Sequence, residues 1–375
     1  MMYCDKQCGI ITYHFAANYG AVLQCYALKS CLNHSDIKTS VINYISNSQE
    51  NNNSLYRRNG GLKSCVKNIA LIPFHRMRSR RKNRFDEFVK EYILDGDTAR
   101  ICNLDSLKAE VDDKYFCVIS GSDQVFNPKI IDFNTSFFLP FKTKARKVGY
   151  AVSTGGASPE ELYPFRTYID DFKYITAREN TTINTLSVLT SKDIVEVCDP
   201  VFLEEQGRWT KIAQGVKYSD YLVCYFVKSK KLKEKIRIAE SIARQKGLKL
   251  IILSARVSVN NFGHTVMLDC GPVEFLSFFA NSNYICTDSF HGTSFALIFN
   301  KEFSTFEDKS ESADGRKTSL LKKVGLINRV YYLGDPWRDP GSINYDDVNK
   351  IIDSIRKESK EILINMICDQ DNSDI

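Results

Sequence analysis

The stretch Tyr284–Asn300, YICTDSFHGTSFALIFN, has the pattern of a strand, a short turn and a helix. The predicted strand is Tyr284–Thr287, the polar turn is Asp288–Gly292, and the predicted helix is Thr293–Phe299. In a parallel α/β sheet, such a turn lies where the carboxyl end of a strand meets the amino end of a helix, and ligands bind at that edge. The unpaired N–H groups and the positive dipole end of the helix favour an anion there.

The turn also carries side chains that can transfer protons or donate hydrogen bonds, namely Asp288, Ser289, His291 and Thr293. Histidine titrates near neutral pH, so it can donate or accept a proton in a reaction. The alternative interpretation is structural, with Asp288 or Ser289 as the helix cap and His291 as a packed or solvated loop residue. The sequence does not separate a capping Asp288 from one that orients His291.

Length and composition predict an ordinary globular protein. The chain has 375 residues, of which 43% are apolar and 26% charged, which suits two or three α/β domains. Its 12 cysteines are scattered without a Cys-x-x-Cys pair, so we expect neither a disulfide framework nor a zinc finger. We find no signal-peptide pattern and no apolar stretch of membrane-spanning length, and expect a cytoplasmic protein.

The net charge of +6 is unevenly distributed, because Arg57–Arg84 contains ten basic residues and no acid. One interpretation is a solvated helix face. A second is attraction to an anionic membrane surface or a lipid pyrophosphate, which would place the protein peripherally at the inner face of the membrane. A nucleic-acid partner is not expected, because the run does not belong to a recognisable nucleic-acid-binding fold.

Alternating strand and helix patterns run along the whole chain, beginning with the predicted strands Cys8–Tyr13 and Lys38–Tyr44 around one helix. This alternation predicts an α/β protein with two Rossmann-like doubly wound domains that face each other across a cleft. Such a cleft is where we expect a ligand to bind. We predict an N-terminal domain at residues 1–217 and a C-terminal domain at 218–340. Residues 341–375 would form a helix that packs back across the junction.

Five short motifs, in this order and at these separations, resemble the polysaccharide pyruvyl transferase family over most of the chain. They are His14-Phe15 with Asn18–Gln24, Gly121–Asn127, Arg178-Glu179, Gly271-Pro272 with Glu274–Leu276, and Thr287–Thr293.

The resemblance implies a GT-B-like arrangement of two domains, with phosphoenolpyruvate as donor. It implies a sugar of a bacterial surface polysaccharide, or of its lipid-linked precursor, as acceptor. Phosphoenolpyruvate would be a co-substrate, and neither a cofactor nor a metal is expected. In some relatives an arginine stands two places before the motif histidine; here that position is Ser289.

Ketal formation from phosphoenolpyruvate needs proton transfer and a site for two anionic groups. We predict His291 as the proton-transfer group and Asp288 as a further catalytic candidate. Arg178 is the predicted grip on the donor anion, because a guanidinium binds carboxylate or phosphate in two-pronged fashion; the alternative is an ion pair with Glu179 or Asp171. The remaining predicted donor-binding residues are Ser289, Gly292 and Thr293.

The acceptor is predicted to bind the N-terminal domain. Asp123, as a catalytic candidate, and Gln124 stand at the carboxyl end of a predicted strand, although a Gly-Ser-Asp run also suits a simple turn. His14, Asn18 and Tyr19 are predicted to line the acceptor side. Their alternative is helix capping by Asn18 and packing by Tyr19.

Two other functions fit the same scaffold. One is a GT-B glycosyltransferase that uses a nucleotide sugar, and the other is a non-catalytic sugar-binding or assembly protein. Fold alone does not separate them from a pyruvyl transferase.

Overall fold

The strands of the computed structural model are short, apolar and largely buried on both faces, as expected for parallel sheets covered by helices. The structure describes residues 6–56, 68–69, 71–96, 98–254, 263–309 and 315–369. The chain divides into two compact units. Unit 1 comprises Met1–Asn59, Val89–Glu204 and Asp353–Ile375, and unit 2 comprises Gly60–Phe88 and Glu205–Ile352.

Unit 1 contains a six-stranded parallel sheet in the order β2-β1-β3-β4-β5-β6. The strand order reverses between β1 and β3, which makes that edge the topological switch point where doubly wound sheets bind ligands. The six strands are β1 (Gln7–Ile11), β2 (Thr39–Val41), β3 (Tyr115–Asp123), β4 (Arg146–Val152), β5 (Tyr174–Ala177) and β6 (Ile194–Glu196).

The helices of unit 1 cover this sheet, and an aromatic cluster that includes Phe126 and Phe138, with ring centroids 4.5 Å apart, fills its core. The α-helices are Tyr19–Asn33, Asn47–Asn53, Leu104–Lys114, Pro159–Leu162, Arg166–Asp170 and Asn180–Leu189. A π-helical turn spans Val89–Ile93, and short 3₁₀ helices span Thr135–Phe138, Tyr163–Phe165 and Pro200–Phe202.

Unit 2 contains a second six-stranded parallel sheet, in the order β9-β8-β7-β10-β11-β12. Counted from its own first strand, this is the Rossmann order 3-2-1-4-5-6, with the switch point between β7 and β10. The strands are β7 (Tyr221–Tyr225), β8 (Lys249–Leu253), β9 (Thr265–Met267), β10 (Tyr284–Thr287), β11 (Glu302–Glu307) and β12 (Val330–Tyr332).

The helices of unit 2 surround this sheet, and His75–Phe88 and Gln206–Ile212 pack against helix Pro272–Ala280. The helices around the sheet are His75–Phe88, Gln206–Ile212, Leu232–Gln245, Pro272–Ala280, Phe290–Ile298 and Gly315–Lys323, with 3₁₀ turns at Ile72–Phe74 and Ile327–Arg329. The last helix, Tyr345–Cys368, begins among the residues of unit 2 and ends among those of unit 1. No helix in the described part of the chain has the length and apolar character to cross a membrane.

The compact units divide the chain between Glu204 and Glu205, whereas the sequence predicted a boundary between residues 217 and 218. Gly60–Phe88 also belongs to unit 2, although it precedes most of the strands of unit 1. The physical reason lies in helix His75–Phe88: Arg84 forms an ion pair with Glu274 at 3.0 Å and packs against Gly271.

Helix Phe290–Ile298 approaches strand β10 very closely at Gly292. A Cβ atom on this residue would lie 2.3 Å from Thr287 Oγ1. That hydroxyl is fixed, because it donates to Tyr225 O at 2.6 Å and accepts from Ser289 N at 3.1 Å. Glycine is therefore required here by the close approach of helix and strand.

We expect Gly292→Ala to lower the free energy of unfolding by about 1–3 kcal/mol, the usual cost of overpacking a closely packed site. The matched control is Gly207→Ala in helix Gln206–Ile212, where the added Cβ would have no heavy atom within 4 Å apart from its chain neighbours and the backbone of its own helix. Gly207→Ala should leave the free energy of unfolding unchanged or slightly raised, because alanine is the better helix former. Denaturant unfolding measures both, and equal stabilities would contradict the close approach at Gly292.

Candidate functional site

The residue after strand β10, Asp288, connects three segments of unit 2. Its carboxylate is 3% exposed and accepts hydrogen bonds from Val227 N at 2.6 Å, Lys228 N at 3.2 Å and Lys235 Nζ at 2.6 Å. Its backbone oxygen accepts from Lys317 Nζ at 2.7 Å. Both carboxylate oxygens are thus engaged, which favours a positioning role for Asp288 over the predicted catalytic one.

Ser289, not Asp288, caps the helix that follows. The helix begins at Phe290, three residues before the predicted start, and Ser289 Oγ accepts from Gly292 N at 3.3 Å. The capping alternative for Asp288 is therefore wrong, because its side chain is turned to the loop after β7. The predicted strand Tyr284–Thr287 is confirmed.

His291 lies in the first turn of this helix and is half-buried. Its ring meets the ring of Phe290 edge to face, with centroids 5.3 Å apart. The guanidinium carbon of Arg316 lies 5.9 Å from the centroid of the same Phe290 ring. A titratable ring, a helix amino end and an arginine thus share one edge of the unit 2 sheet.

Thr293 is turned away from this edge. It is fully buried, and its hydroxyl donates to Ser289 O at 3.1 Å and contacts Thr305 Oγ1 at 2.9 Å. The prediction that the Thr293 side chain binds the donor is therefore not supported, because this hydroxyl packs helix Phe290–Ile298 on β11. Gly292 has no side chain to offer a ligand, and its backbone N–H already donates to Ser289 Oγ.

Sequence reasoning missed two buried lysines that hold this edge together. Lys317 is fully buried and also lies 3.1 Å from Phe306 O and 3.0 Å from Glu307 Oε1. Lys235 is 3% exposed within helix Leu232–Gln245. The only sequence signal for Lys235 was its place beside Ile236 on the apolar side of that helix.

At the switch point of unit 1, a buried polar network joins strand β1, the first helix and strand β3. Gln24 Nε2 donates to Thr12 Oγ1 at 2.9 Å, Thr12 Oγ1 donates to Ser122 O at 3.1 Å, and Ser122 N donates to Gln24 Oε1 at 3.2 Å. Every member of this network is neutral and 0% exposed. It fixes the ends of the two strands and leaves no polar atom of these side chains at the surface.

His14 belongs to the interior of unit 1. It is 1% exposed, with Nδ1 3.2 Å from Thr12 O and Nε2 3.1 Å from Asn43 Oδ1. Burial lowers the pKa of His14, although the contacts with Asn43 and Thr12 oppose the shift. Both ring nitrogens are engaged, so the predicted acceptor-binding role does not fit this residue.

Asn18 and Tyr19 match the structural alternative. Asn18 is the N-cap of helix Tyr19–Asn33, with its Oδ1 accepting from Gly20 N at 3.0 Å, and Tyr19 is 1% exposed. Gln124 is half-buried, and its Oε1 accepts from Asn127 Nδ2 at 2.7 Å. Of these predicted acceptor residues, Asn18 and Gln124 retain exposed surface.

Arg178 lies inside a group of three carboxylates. Its side chain is 1% exposed and forms ion pairs with Asp199 at 2.6 Å, Asp123 at 2.8 Å and Glu179 at 3.4 Å. Burial alone would lower the pKa of Arg178, but the three carboxylates raise it above its usual value. The predicted ion pair with Glu179 is present within this group, whereas Asp171 pairs instead with Lys147.

Its position makes Arg178 an unsuitable grip for a donor anion, because three acids already compensate its charge. It joins the ends of β3 and β5 to the loop after β6, which stabilises the sheet edge. Asp123 retains 15% side-chain exposure, so part of its side chain reaches the surface of unit 1.

The sequence matches the model of the family described as polysaccharide pyruvyl transferase over residues 18–310. The chain belongs to this family. The match includes both sheet edges described above, from the cap of the first helix to the helix that carries His291. No similar sequence was found among curated proteins.

Solved structures with a similar fold include two UDP-GlcNAc 2-epimerases. The enzyme from Methanocaldococcus jannaschii has a TM-score of 0.54 at 12% identity, covering 97% of this chain and 100% of that one. The enzyme from Neisseria meningitidis, bound to UDP-GlcNAc, has a TM-score of 0.52 at 11% identity with the same coverage. At such low identity the likeness shows the fold alone, and it confirms the predicted GT-B-like class of two Rossmann-like domains.

We expect Arg178→Met to lower the free energy of unfolding by about 3–5 kcal/mol, because it leaves the buried carboxylates of Asp199 and Glu179 and the partly buried Asp123 without their cation. Arg166→Met is the control, because that arginine is 53% exposed and lies 3.8 Å from Asp170. Denaturant unfolding of both variants and the parent measures the loss. A loss of stability as small as that of Arg166→Met would contradict the structural role of Arg178. It would favour the predicted role of Arg178 in binding the donor.

Proposed function

We propose that this family member is a pyruvyl transferase that uses phosphoenolpyruvate as donor and forms a pyruvate ketal on a saccharide. The proposed acceptor is a sugar of a bacterial surface polysaccharide or of its lipid-linked precursor. The observation that carries the proposal is the edge of unit 2 at its switch point, where the ring of Phe290, at the start of helix Phe290–Ile298, meets His291 and lies near Arg316. Helix amino ends at such edges favour anions, and the donor carries two anionic groups.

The reaction requires one proton to be delivered and two to be removed. Protonation of the donor's methylene carbon gives a methyl group and a cationic centre at the neighbouring carbon. Two hydroxyl oxygens of the sugar bond to that carbon as its bond to the phosphate oxygen breaks. One hydroxyl proton balances the proton that entered the methyl group, and the other leaves with phosphate or solvent.

His291 is the proposed proton-transfer group for this sequence. It lies in the first turn of the helix, which is the part of a helix that favours a bound anion. The neighbouring Phe290 ring limits the orientations of the imidazole. A histidine held in this manner can protonate carbon or assist the leaving phosphate.

Arg316 is the proposed cation for the donor, in the place of the arginine that some relatives carry at the position of Ser289. It stands in the first turn of helix Gly315–Lys323, and the neighbouring Lys317 anchors that turn to Asp288 O. Its guanidinium carbon lies 5.9 Å from the centroid of the Phe290 ring, which also meets the His291 ring. A guanidinium can bind carboxylate or phosphate through two parallel hydrogen bonds.

The acceptor is proposed to bind the edge of unit 1. Asp123, Gln124 and Asn18 retain surface at that edge, and carboxylate and amide groups suit hydrogen bonding to sugar hydroxyls. Asp123 is further proposed to accept a hydroxyl proton. A lipid-linked acceptor would bring the protein to the inner face of the membrane.

Phosphate release from phosphoenolpyruvate in the presence of candidate lipid-linked saccharides tests the reaction. We expect His291→Asn to reduce turnover by at least about 100-fold, because a positioned acid–base group typically contributes that much or more. The control is His34→Asn, which removes an exposed histidine at the end of helix Tyr19–Asn33 and should leave turnover unchanged. Activity of His291→Asn within a few-fold of the parent would exclude His291 as the proton-transfer group.

Binding of the donor is tested by thermal unfolding and titration, because a ligand that prefers the native state raises the melting temperature. Phosphoenolpyruvate should stabilise the protein, and Arg316→Gln should weaken its affinity about tenfold or more through the loss of charge-assisted hydrogen bonds. Arg237→Gln, an exposed position in helix Leu232–Gln245, is the control. Stabilisation by nucleotide sugars but not by phosphoenolpyruvate would favour the glycosyltransferase alternative. Stabilisation by neither, without turnover, would favour a non-catalytic protein.

A further inference from the structure

The described part of the basic run, within helix His75–Phe88, has one anchored side and one open side. On the anchored side, Phe85 and Phe88 are buried, and Arg84 lies 3.0 Å from Glu274 and 3.6 Å from Asp269. These contacts hold the helix firmly on unit 2. The basic side chains of this helix therefore lie on a surface of unit 2 whose position is fixed.

The open side forms a shallow groove of about 330 Å³. Its lining consists of side chains that donate hydrogen bonds or carry positive charge, without any acid: His75, Arg76, Ser79, Arg80 and Asn83. Arg76 is exposed, and the side chain of Arg80 is 51% exposed although it also reaches Asp269 at 3.0 Å. Such a lining suits an anion at the surface.

Large apolar side chains stand immediately before this helix. Ile69 is 65% exposed and Ile72 is 59% exposed, and Pro73 beside them is also exposed. Ile72 precedes Arg76 by four residues, and Arg76 precedes Arg80 by four, which is the spacing of one side of a helical segment. The two isoleucines and the two arginines define what we call the interfacial patch.

We infer that the interfacial patch docks on a membrane surface that contains anionic lipids. The arginines would meet lipid phosphates, and the isoleucines would enter the boundary between headgroups and acyl chains, as basic amphipathic segments do at interfaces. A nucleic acid would engage the arginines but offer no comparable apolar region to Ile69 and Ile72. This inference stands independently of the donor and acceptor proposed above, because it rests only on the charge and exposure of the patch.

The test is flotation of the full-length protein with vesicles of phosphatidylcholine alone or mixed with phosphatidylglycerol. Binding to the mixed vesicles should exceed binding to the neutral ones and should weaken with added salt. Arg76→Gln/Arg80→Gln should lower the partition coefficient about 30-fold, on the basis of the usual contribution of each basic residue near an anionic surface. Ile69→Ser/Ile72→Ser should lower it about tenfold through lost apolar burial.

The matched control is Lys233→Gln/Arg237→Gln, which removes the same charge from exposed positions of helix Leu232–Gln245 in the same unit. It should bind like the parent, and melting curves verify that each variant is folded. If this control variant bound the mixed vesicles as weakly as Arg76→Gln/Arg80→Gln does, the loss of binding would be due to net charge alone, and the inference would be overturned. The inference would also be overturned if the parent protein did not bind the mixed vesicles. It would be overturned as well if Ile69→Ser/Ile72→Ser bound the vesicles like the parent and the parent was retained more strongly on RNA or DNA.

Discussion

The buried carboxylate of Asp288 is the contact on which the edge of unit 2 depends. A charged group at 3% exposure is stable only when hydrogen bonds and a cation compensate it, and here two backbone N–H groups and Lys235 do so. The same residue accepts from Lys317 through its backbone. Asp288 therefore holds the loop after β7, helix Leu232–Gln245 and helix Gly315–Lys323 around the amino end of helix Phe290–Ile298.

The two sheet edges use buried charge in different ways. In unit 1, Arg178 is enclosed by three acids, and a neutral network around Gln24 joins the two strands at the switch point. In unit 2, buried lysines neutralise Asp288 and Glu307 beneath the edge, while His291 and Arg316 stay partly exposed above it. Unit 2 therefore presents titratable and cationic groups on a rigid support, which is what a site for an anionic donor requires.

The sequence predicted the fold class and the strand–turn–helix of Tyr284–Asn300, because apolar strands and amphipathic helices carry strong periodic signals. It could not predict that Arg178 lies among acids from three different segments, since that group exists only after β3, β5 and β6 align. The burial of Lys317 could not be predicted either, because a lysine in a helix is ordinarily exposed to solvent. The local roles of these two residues, capping by Asn18 and packing by Tyr19, were the alternatives that the sequence offered.

The serine at position 289 is consistent with the local backbone. A short hydroxyl side chain at the N-cap can turn back to a backbone N–H of the first turn, as Ser289 does to Gly292, whereas an arginine at this position would leave that N–H without its cap. The cap matters here because Gly292 must sit against Thr287 with almost no clearance. A cation at this edge must then come from another segment. Arg316 satisfies that condition, because its helix is tied to Asp288 through Lys317 and its guanidinium lies over the ring beside His291.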